Sequence, residues 1–561
     1  MQSPARRPAV VSFLLFVLVS GVSVLGMPAQ ETATMAQRID KVFERWSART
    51  PGCAVGVARQ GRTIYTQGYG LASLEYGVRI RPDTVFESGS VAKQFTAGAV
   101  ALLVQDGKLS LDDPIRTYLP EVPDFGTPIL IRHLLTHTSG LRSQWPLLTM
   151  MGRPPGRAVH TVPEIVELVG FQTSLNFTPG DEYLYNNTAF TLLTVIVERV
   201  SGKPFAEFSQ ERLFKPLGMT RTQWRDDFTA IVPGRATAYR MGAGGTFRTY
   251  MPITNVIGNG GLLTTVGDML LWNENLDNPR VGGRAWAEML QTPARLNDGS
   301  PLDYALGLSV QRYRGVREIS HGGSTAGYQT FLARFPDERL SVAVLCNTTG
   351  ANPGGDAHQV AELFLGGALK PATVVTAIQV PADVLSRVAG LYRERTTDAV
   401  TRVVWDKDRK VLLAGGQPLA PTAPGVLSSA DGARTLSLDV GGAQPAWPAT
   451  AAVVAITDKT GHARPRVWHA EAPFAPTPEQ LEPFTGMYVS EELGVTYAVL
   501  RDGDHLVLRF RPAQRIALEP VFADGFEGDG QTVRFTRDAG GRIDGFNVFA
   551  GRARHVRFTR Q

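Results

Sequence analysis

Apolar and polar residues alternate over residues 52–70, GCAVGVARQGRTIYTQGYG, with a break at Gln60-Gly61. A period of two on either side of a glycine-containing turn predicts a β-hairpin. Residues 95–105 are almost continuously apolar and stop at Asp106-Gly107, which predicts a buried helix. A second buried helix is predicted over residues 189–200, AFTLLTVIVERV, closed by Ser201-Gly202. Between His321 and Asn347 come three β-type runs, HGGSTAGYQT, FLARFP and SVAVLCN, with a turn at Pro336-Asp337 between the last two. β segments thus flank a helical middle. An α+β domain is expected, its sheet drawn from both ends of this region and its helices forming a lobe.

After about residue 375 helical periodicity fades, and short strands separated by Gly, Asp and Pro turns take over. Leu385, Gly390, Tyr392, Asp406, Asp408 and Val411 recur, each 96 residues later, as Leu481, Gly486, Tyr488, Asp502, Asp504 and Val507. Such a repeat predicts two small all-β domains, at residues 376–472 and 473–561. The Asp-x-Asp pairs resemble calcium ligands. Both lie between β runs, in DKDRK and DGDHL, where Asp and Gly build hairpin turns, and that is the reading taken here.

At 561 residues the chain exceeds a single core. Its composition is globular, 43% hydrophobic and 19% charged. The net charge of +5 is small, and the basic residues are dispersed, so no nucleic-acid partner is expected. Arg6 and Arg7 precede an uncharged run over residues 9–26, followed by small residues at Gly26 and Ala29. This is the pattern of a secretory signal, taken as residues 1–29, and a periplasmic or secreted protein is expected. Left uncleaved, the same run is long enough to anchor the chain in a membrane. Two cysteines, Cys53 and Cys346, complete the inventory.

Ser90 and Lys93 stand three apart in FESGSVAKQF, ahead of the first predicted helix. The spacing suits a nucleophile with its base on one helix face. It suits equally an N-cap serine followed by a solvated lysine. Three further stretches decide between them: HLLTHTSGL at residues 133–141, FTPGDEYLYNNTAF at residues 177–190 with Tyr185 and Asn187 as Y-x-N, and ISHGGSTAGY with His321-Gly322-Gly323 as H-x-G. In this order, and with GNGGLLTTVGDM at residues 258–269, they resemble the serine β-lactamase and penicillin-binding-protein family. The resemblance is closest to the branch holding class C β-lactamases, D-alanyl-D-alanine carboxypeptidases, D-aminopeptidases and related esterases. It covers about residues 37–347, within a catalytic domain taken as residues 30–370.

The resemblance implies roles for particular residues. Ser90 would be the nucleophile. Lys93 and Tyr185 would share the proton transfers, and which of them is the base stays open. The backbone N–H groups of Ser90 and Ser324 would form the oxyanion hole. Asn187 would bind the substrate carbonyl and help fix Lys93. His321 would line the site near Tyr185, and Gly323 would let a substrate backbone approach. Ser324 itself lies in a β run rather than at a strand-to-helix elbow, so it is not taken as the nucleophile. His133 and His137, four apart, mimic a zinc pair but are read as structural. No metal and no cofactor is expected.

Where many relatives have K-T-G, this chain has His321-Gly322-Gly323. A histidine titrating near neutrality is a weaker anchor for a substrate carboxylate than a lysine. That substitution and the two β-domains, an arrangement similar to D-aminopeptidases, point to an exported hydrolase cleaving an amide or ester through an acyl-enzyme on Ser90. A D-aminopeptidase- or carboxypeptidase-like peptidase, or an esterase, is expected, on a small peptide, amide or ester substrate for which a cell-wall origin is one source. The alternatives are a β-lactamase and a penicillin-binding sensor that acylates without turnover. The implied fold also pairs the first strand with the last strand of the sheet. Cys53 and Cys346 should then be in contact, with a disulfide left open.

Overall fold

The computed structural model of this chain describes residues 1, 29–372, 375–442, 444–448, 452–460, 465–472, 474–511 and 514–561. The expected leader run lies outside the described residues. Among the described residues, no helix is long and apolar enough to cross a membrane.

The hairpin expected over residues 52–70 forms from Cys53–Arg59 and Arg62–Tyr69. Gln60 and Gly61 both have positive φ, 53° and 75°, as a type I′ turn requires. This hairpin closes a six-stranded antiparallel sheet in the order Ser309–Tyr313, Val316–Thr325, Tyr328–Phe335, Leu340–Cys346, Cys53–Arg59, Arg62–Tyr69. The strand Cys53–Arg59 sits inside the sheet, and its side chains alternate between two cores. Cys53, Val55 and Val57 face a cluster with Ile39 of the helix Ala29–Val42, Phe43 just past its end, and Val360 of the helix Pro353–Leu365. Ala54 and Ala58 face the larger cluster under the helical lobe. In register, Cys53 lies opposite Cys346, and the two form a disulfide with their Cα atoms 4.0 Å apart.

One boundary differs from expectation. The run HGGSTAGYQT is not one strand, because it turns at Ala326-Gly327 between Val316–Thr325 and Tyr328–Phe335. Ala326 adopts φ 47°, a conformation alanine rarely takes, so its letter carried no turn signal. The strand Ser309–Tyr313 pairs only with residues up to Ser320. Beyond that point, from His321 to Thr325, the strand edge opens toward the helical lobe.

The two expected lobe helices run over Lys93–Gln105 and Asn187–Ser201 and pack together in the main core. The first is buried along nearly its whole length, between Trp272, Trp286 and the second helix. This burial, unlike that of an amphipathic surface helix, explains its all-round apolar sequence.

The C-terminal region forms two closed eight-stranded antiparallel barrels, from Gly390–Arg393 to Arg466–Glu471 and from Gly486–Ser490 to Ala553–Arg560. The 96-residue repeat has a physical counterpart. Tyr392 donates its hydroxyl to Val388 O and Tyr488 to Phe484 O, each at 2.7 Å, tying the lead-in turn to the first strand of its barrel. The Asp-x-Asp segments are turns: Asp406 Oδ1 accepts from the Asp408 and Arg409 amides, and Asp504 sits between Val495–Asp502 and His505–Arg511.

The second barrel packs directly on the helical lobe. Leu147, Leu148 and Met150, from the helix Gln144–Met150, share one apolar cluster with Tyr488, Tyr497 and Phe558 of the barrel. Beside this seam Arg142, fully buried, bonds Glu492 Oε2 at 2.5 Å, Arg554 O at 2.9 Å and His555 O at 3.0 Å. The first barrel packs against the second, with Arg534 bonded to Asp398 and Arg393 stacked 3.9 Å over Phe522.

Candidate active site

Ser90 lies in the 3₁₀ turn Gly89–Ala92, which feeds straight into the helix Lys93–Gln105. It is not an N-cap: the turn continues into the helix through Ala92 and no side chain caps it. Gly89 holds φ 53°, and a Cβ there would fall 2.6 Å from the Ser324 nitrogen. The turn therefore rests directly on the open strand edge. A Cβ on Gly323 would sit 2.0 Å from Ser88 O, and Thr330 Oγ1 donates to the same carbonyl at 2.7 Å. These contacts seat the turn that bears Ser90 against the strand at Gly323 and Ser324.

Lys93 is fully buried. Its Nζ lies 3.2 Å from Ser90 Oγ, 2.9 Å from Asn187 Oδ1 and 2.6 Å from Asn259 O. An ammonium would donate to all three. A neutral amine would donate to the two carbonyls and accept the Ser90 proton, so the nest satisfies both states. Burial first, and the charge of Arg552 second, hold its pKa well below the usual amine range. Asn187 is the first residue of the helix Asn187–Ser201, and Asn186 caps that helix through Ala189 N.

The Tyr185 ring lies 4.8 Å from Lys93 Nζ. Its hydroxyl is buried without a hydrogen bond, although the Ser90 side chain is close enough to act on it. Burial raises the phenol's pKa above the ordinary value, and Ser90 and Arg552 oppose that rise.

His321 lies near Tyr185 as expected, their ring centroids 6.1 Å apart, but it is not a group that titrates near neutrality. It is buried, with Nδ1 2.6 Å from Gly322 O and Nε2 2.9 Å from the Tyr304 hydroxyl. The same hydroxyl lies 3.1 Å from His137 Nε2, and His137 Nδ1 accepts from Asn186 N at 3.1 Å. These contacts fix every proton. His137 Nδ1 is an acceptor, so its proton is on Nε2 and is donated to Tyr304. Tyr304 donates to His321 Nε2, whose proton is then on Nδ1 and is given to Gly322 O. Both imidazoles are neutral. Burial, then the charge of Lys93, pushes the His321 pKa down to about 4. His321 is therefore no titrating cation at neutral pH. His133 does not pair with His137: it accepts Leu130 N within its own helix turn, and His137 lies past the helix with φ 60°.

Ser90, Asn187 and Ser324 open onto a cavity of about 350 Å³ whose far wall includes Trp145, Tyr250 and Val256. Sequence reasoning missed Asn259, Tyr304, the role of His137, and Arg552. Arg552 sits at the tip of the hairpin between Ile543–Ala550 and Ala553–Arg560 in the second barrel. Its guanidinium carbon lies 4.7 Å from the Tyr185 ring centroid.

A family model described as Beta-lactamase matches residues 33–365. The D-aminopeptidase of Gluconobacter oxydans (strain 621H) is 30% identical over 356 residues, 63% of this chain and 65% of that protein. The D-aminopeptidase of Brucella canis is 29% identical over 354 residues, 63% of this chain and 66% of that protein. The matched region thus spans just under two thirds of these relatives. Among solved structures, an octameric penicillin-binding protein homologue from Pyrococcus abyssi superposes with a TM-score of 0.54 at 22% identity, over 86% of this chain and 99% of that one. The D-amino acid amidase of Ochrobactrum anthropi SV3, solved with L-phenylalanine amide, gives 0.50 at 23%, over 59% and 98%. At such identities the structural likenesses speak for the fold alone.

Proposed function

Since this chain belongs to the Beta-lactamase family, we propose that it is an exported serine hydrolase that opens an amide or ester by forming an acyl-enzyme on Ser90. The observation that carries this reading is the buried Lys93 amine 3.2 Å from Ser90 Oγ, beside a cavity that Ser90 also lines. A lysine kept neutral by burial is a base, and a serine hydroxyl needs one.

In this reading Lys93 takes the Ser90 proton as Oγ attacks the carbonyl. The N–H groups of Ser90 and Ser324 receive the oxyanion. Tyr185 passes a proton to the departing amine or alcohol, and water then hydrolyses the ester on Ser90. Asn187 holds Lys93 and the substrate carbonyl. The D-aminopeptidase relatives favour substrates built from D-amino acids, with a peptidase or amidase ahead of an esterase. The Cys53–Cys346 disulfide supports export, because such bonds persist in oxidising compartments.

The test is Ser90→Ala against a panel of D-aminoacyl amides, D-alanyl-D-alanine peptides, short esters and a cephalosporin. Loss of all turnover with an unchanged circular dichroism spectrum is the expected result, and retained turnover defeats the proposal. Stoichiometric acylation by a labelled penicillin without release would instead mark a sensor.

A further inference from the structure

A substrate that acylates Ser90 has two halves, and the site treats them differently. The 350 Å³ cavity holds Asn187, Ser324 and the apolar wall of Trp145, Tyr250 and Val256. Tyr185 and Arg552 are not part of that lining. Tyr185 stands beside Lys93, and Arg552 lies over the Tyr185 ring. If Tyr185 protonates the departing atom, the leaving group lies against Tyr185 and hence under Arg552.

The position of Arg552 is built into the fold. Its carbonyl accepts from Ser143 N at 3.0 Å and from Asn176 Nδ2 at 3.1 Å. The next turn of the hairpin is tied down by Arg554 N to Asn176 Oδ1 at 2.8 Å, and Arg554 Nη1 is paired with Glu182. Arg142 and Glu492 lock the same segment from below. The Arg552 side chain, in contrast, is exposed, and among the described residues its guanidinium has no carboxylate or carbonyl partner. Meanwhile the strand that supplies a lysine in many relatives here supplies the neutral, enclosed His321. The accessible cation of the site has moved from the strand to the barrel.

We infer that Arg552 anchors a carboxylate on the leaving-group half of the substrate, so that the enzyme is specialised for a departing residue bearing a free C-terminal carboxylate. This rests on the acyl-enzyme reading above. In the step itself the C–N bond breaks as the Ser90 Oγ–C bond forms. The serine proton ends on the departing amine, and the carboxylate stays paired with Arg552 until release. A guanidinium fork suits a carboxylate better than any neutral group. The same cation repels a substrate that presents an ammonium at that place.

The test uses the full chain and two achiral thioesters, benzoylglycyl mercaptoacetate and benzoylglycyl mercaptoacetamide, which differ only in the charge of the leaving group. Wild type should favour the carboxylate by about tenfold or more in kcat/KM, the scale of one charged hydrogen-bonded contact. Arg552→Gln should bring that ratio toward one, and Arg552→Lys should keep part of it. If Arg552 merely tuned the proton transfers, Arg552→Gln would slow both thioesters equally and leave the ratio intact, which would overturn the inference. A Ser90-dependent rate with a wild-type ratio near one overturns it alone. Rates on both thioesters no higher than those of Ser90→Ala take down the acyl-enzyme reading with it.

Discussion

The Tyr304 hydroxyl donates to His321 Nε2 across 2.9 Å. This bond settles the tautomer of a residue whose sequence position invites a reading as a pH-dependent anchor. Because burial and Lys93 hold the His321 pKa at about 4, the folded protein carries a neutral imidazole at pH 6, where an unfolded chain is mostly charged. Between about pH 4 and 6.5 the unfolded state binds more protons, so this residue makes stability rise with pH over that window. Imidazole NMR should show His321 neutral, with its single proton on Nδ1, down to about pH 4. Tyr304→Phe should mix the tautomers and cost about 1–3 kcal/mol, since the His137 donor is left buried and unpaired.

Lys93 gives a second linkage with a defined sign. Its pKa is depressed in the folded protein, so between that value and about 10.5 the unfolded chain holds a proton the native state lacks. Stability contributed through this residue therefore rises with pH in that window. Lys93→Met removes the dependence. Denaturant titrations at several pH values should show wild type gaining on the variant as pH increases, and the variant should lose essentially all turnover.

Gly323 is a steric test of how closely the turn bearing Ser90 may approach the strand. Gly323→Ala would place a methyl 2.0 Å from Ser88 O and force the two backbones apart. Misplacing one oxyanion donor costs about 10²–10³ in kcat. The expected outcome is that loss together with a lowered melting temperature, because Ser88 and Thr330, which must give way, are buried.

Glu492→Ala should show that the second barrel belongs to the catalytic unit. It strands the fully buried Arg142 without its counter-charge, a change that costs about 3–5 kcal/mol in comparable pairs. Chemical denaturation should then separate a barrel transition from that of the catalytic region. Activity should fall along with it, since the Arg552 hairpin loses its anchor.

Some of this was legible in the chain and some was not, for identifiable reasons. The hairpin at Gln60-Gly61 and the two lobe helices are local patterns, so their letters suffice. Ser90 and Lys93 share a helix face by spacing, yet a cap serine has the same spacing. Tyr185 and His321 became candidates only through the family resemblance, because separations of roughly 95 and 230 residues carry no local signal. The turn at Ala326 was missed since its positive φ is imposed by strand pairing rather than favoured by the residue. Arg552 could not be found at all. One arginine among many, it acquires its place from the docking of the second barrel through Arg142 and Glu492.

The pairing of Cys53 with Cys346 has a consequence for biogenesis. The first strand of the sheet is made early, and its inner partner follows 293 residues later. Until then Cys53–Arg59 has only its hairpin partner, and its other edge is an apolar template open to any extended chain. Long-range pairings of this kind form slowly and leave collapsed intermediates exposed. A chain emerging end-first therefore gains by delaying collapse until the last strand has arrived, and the covalent link between the two cysteines then makes that late closure permanent.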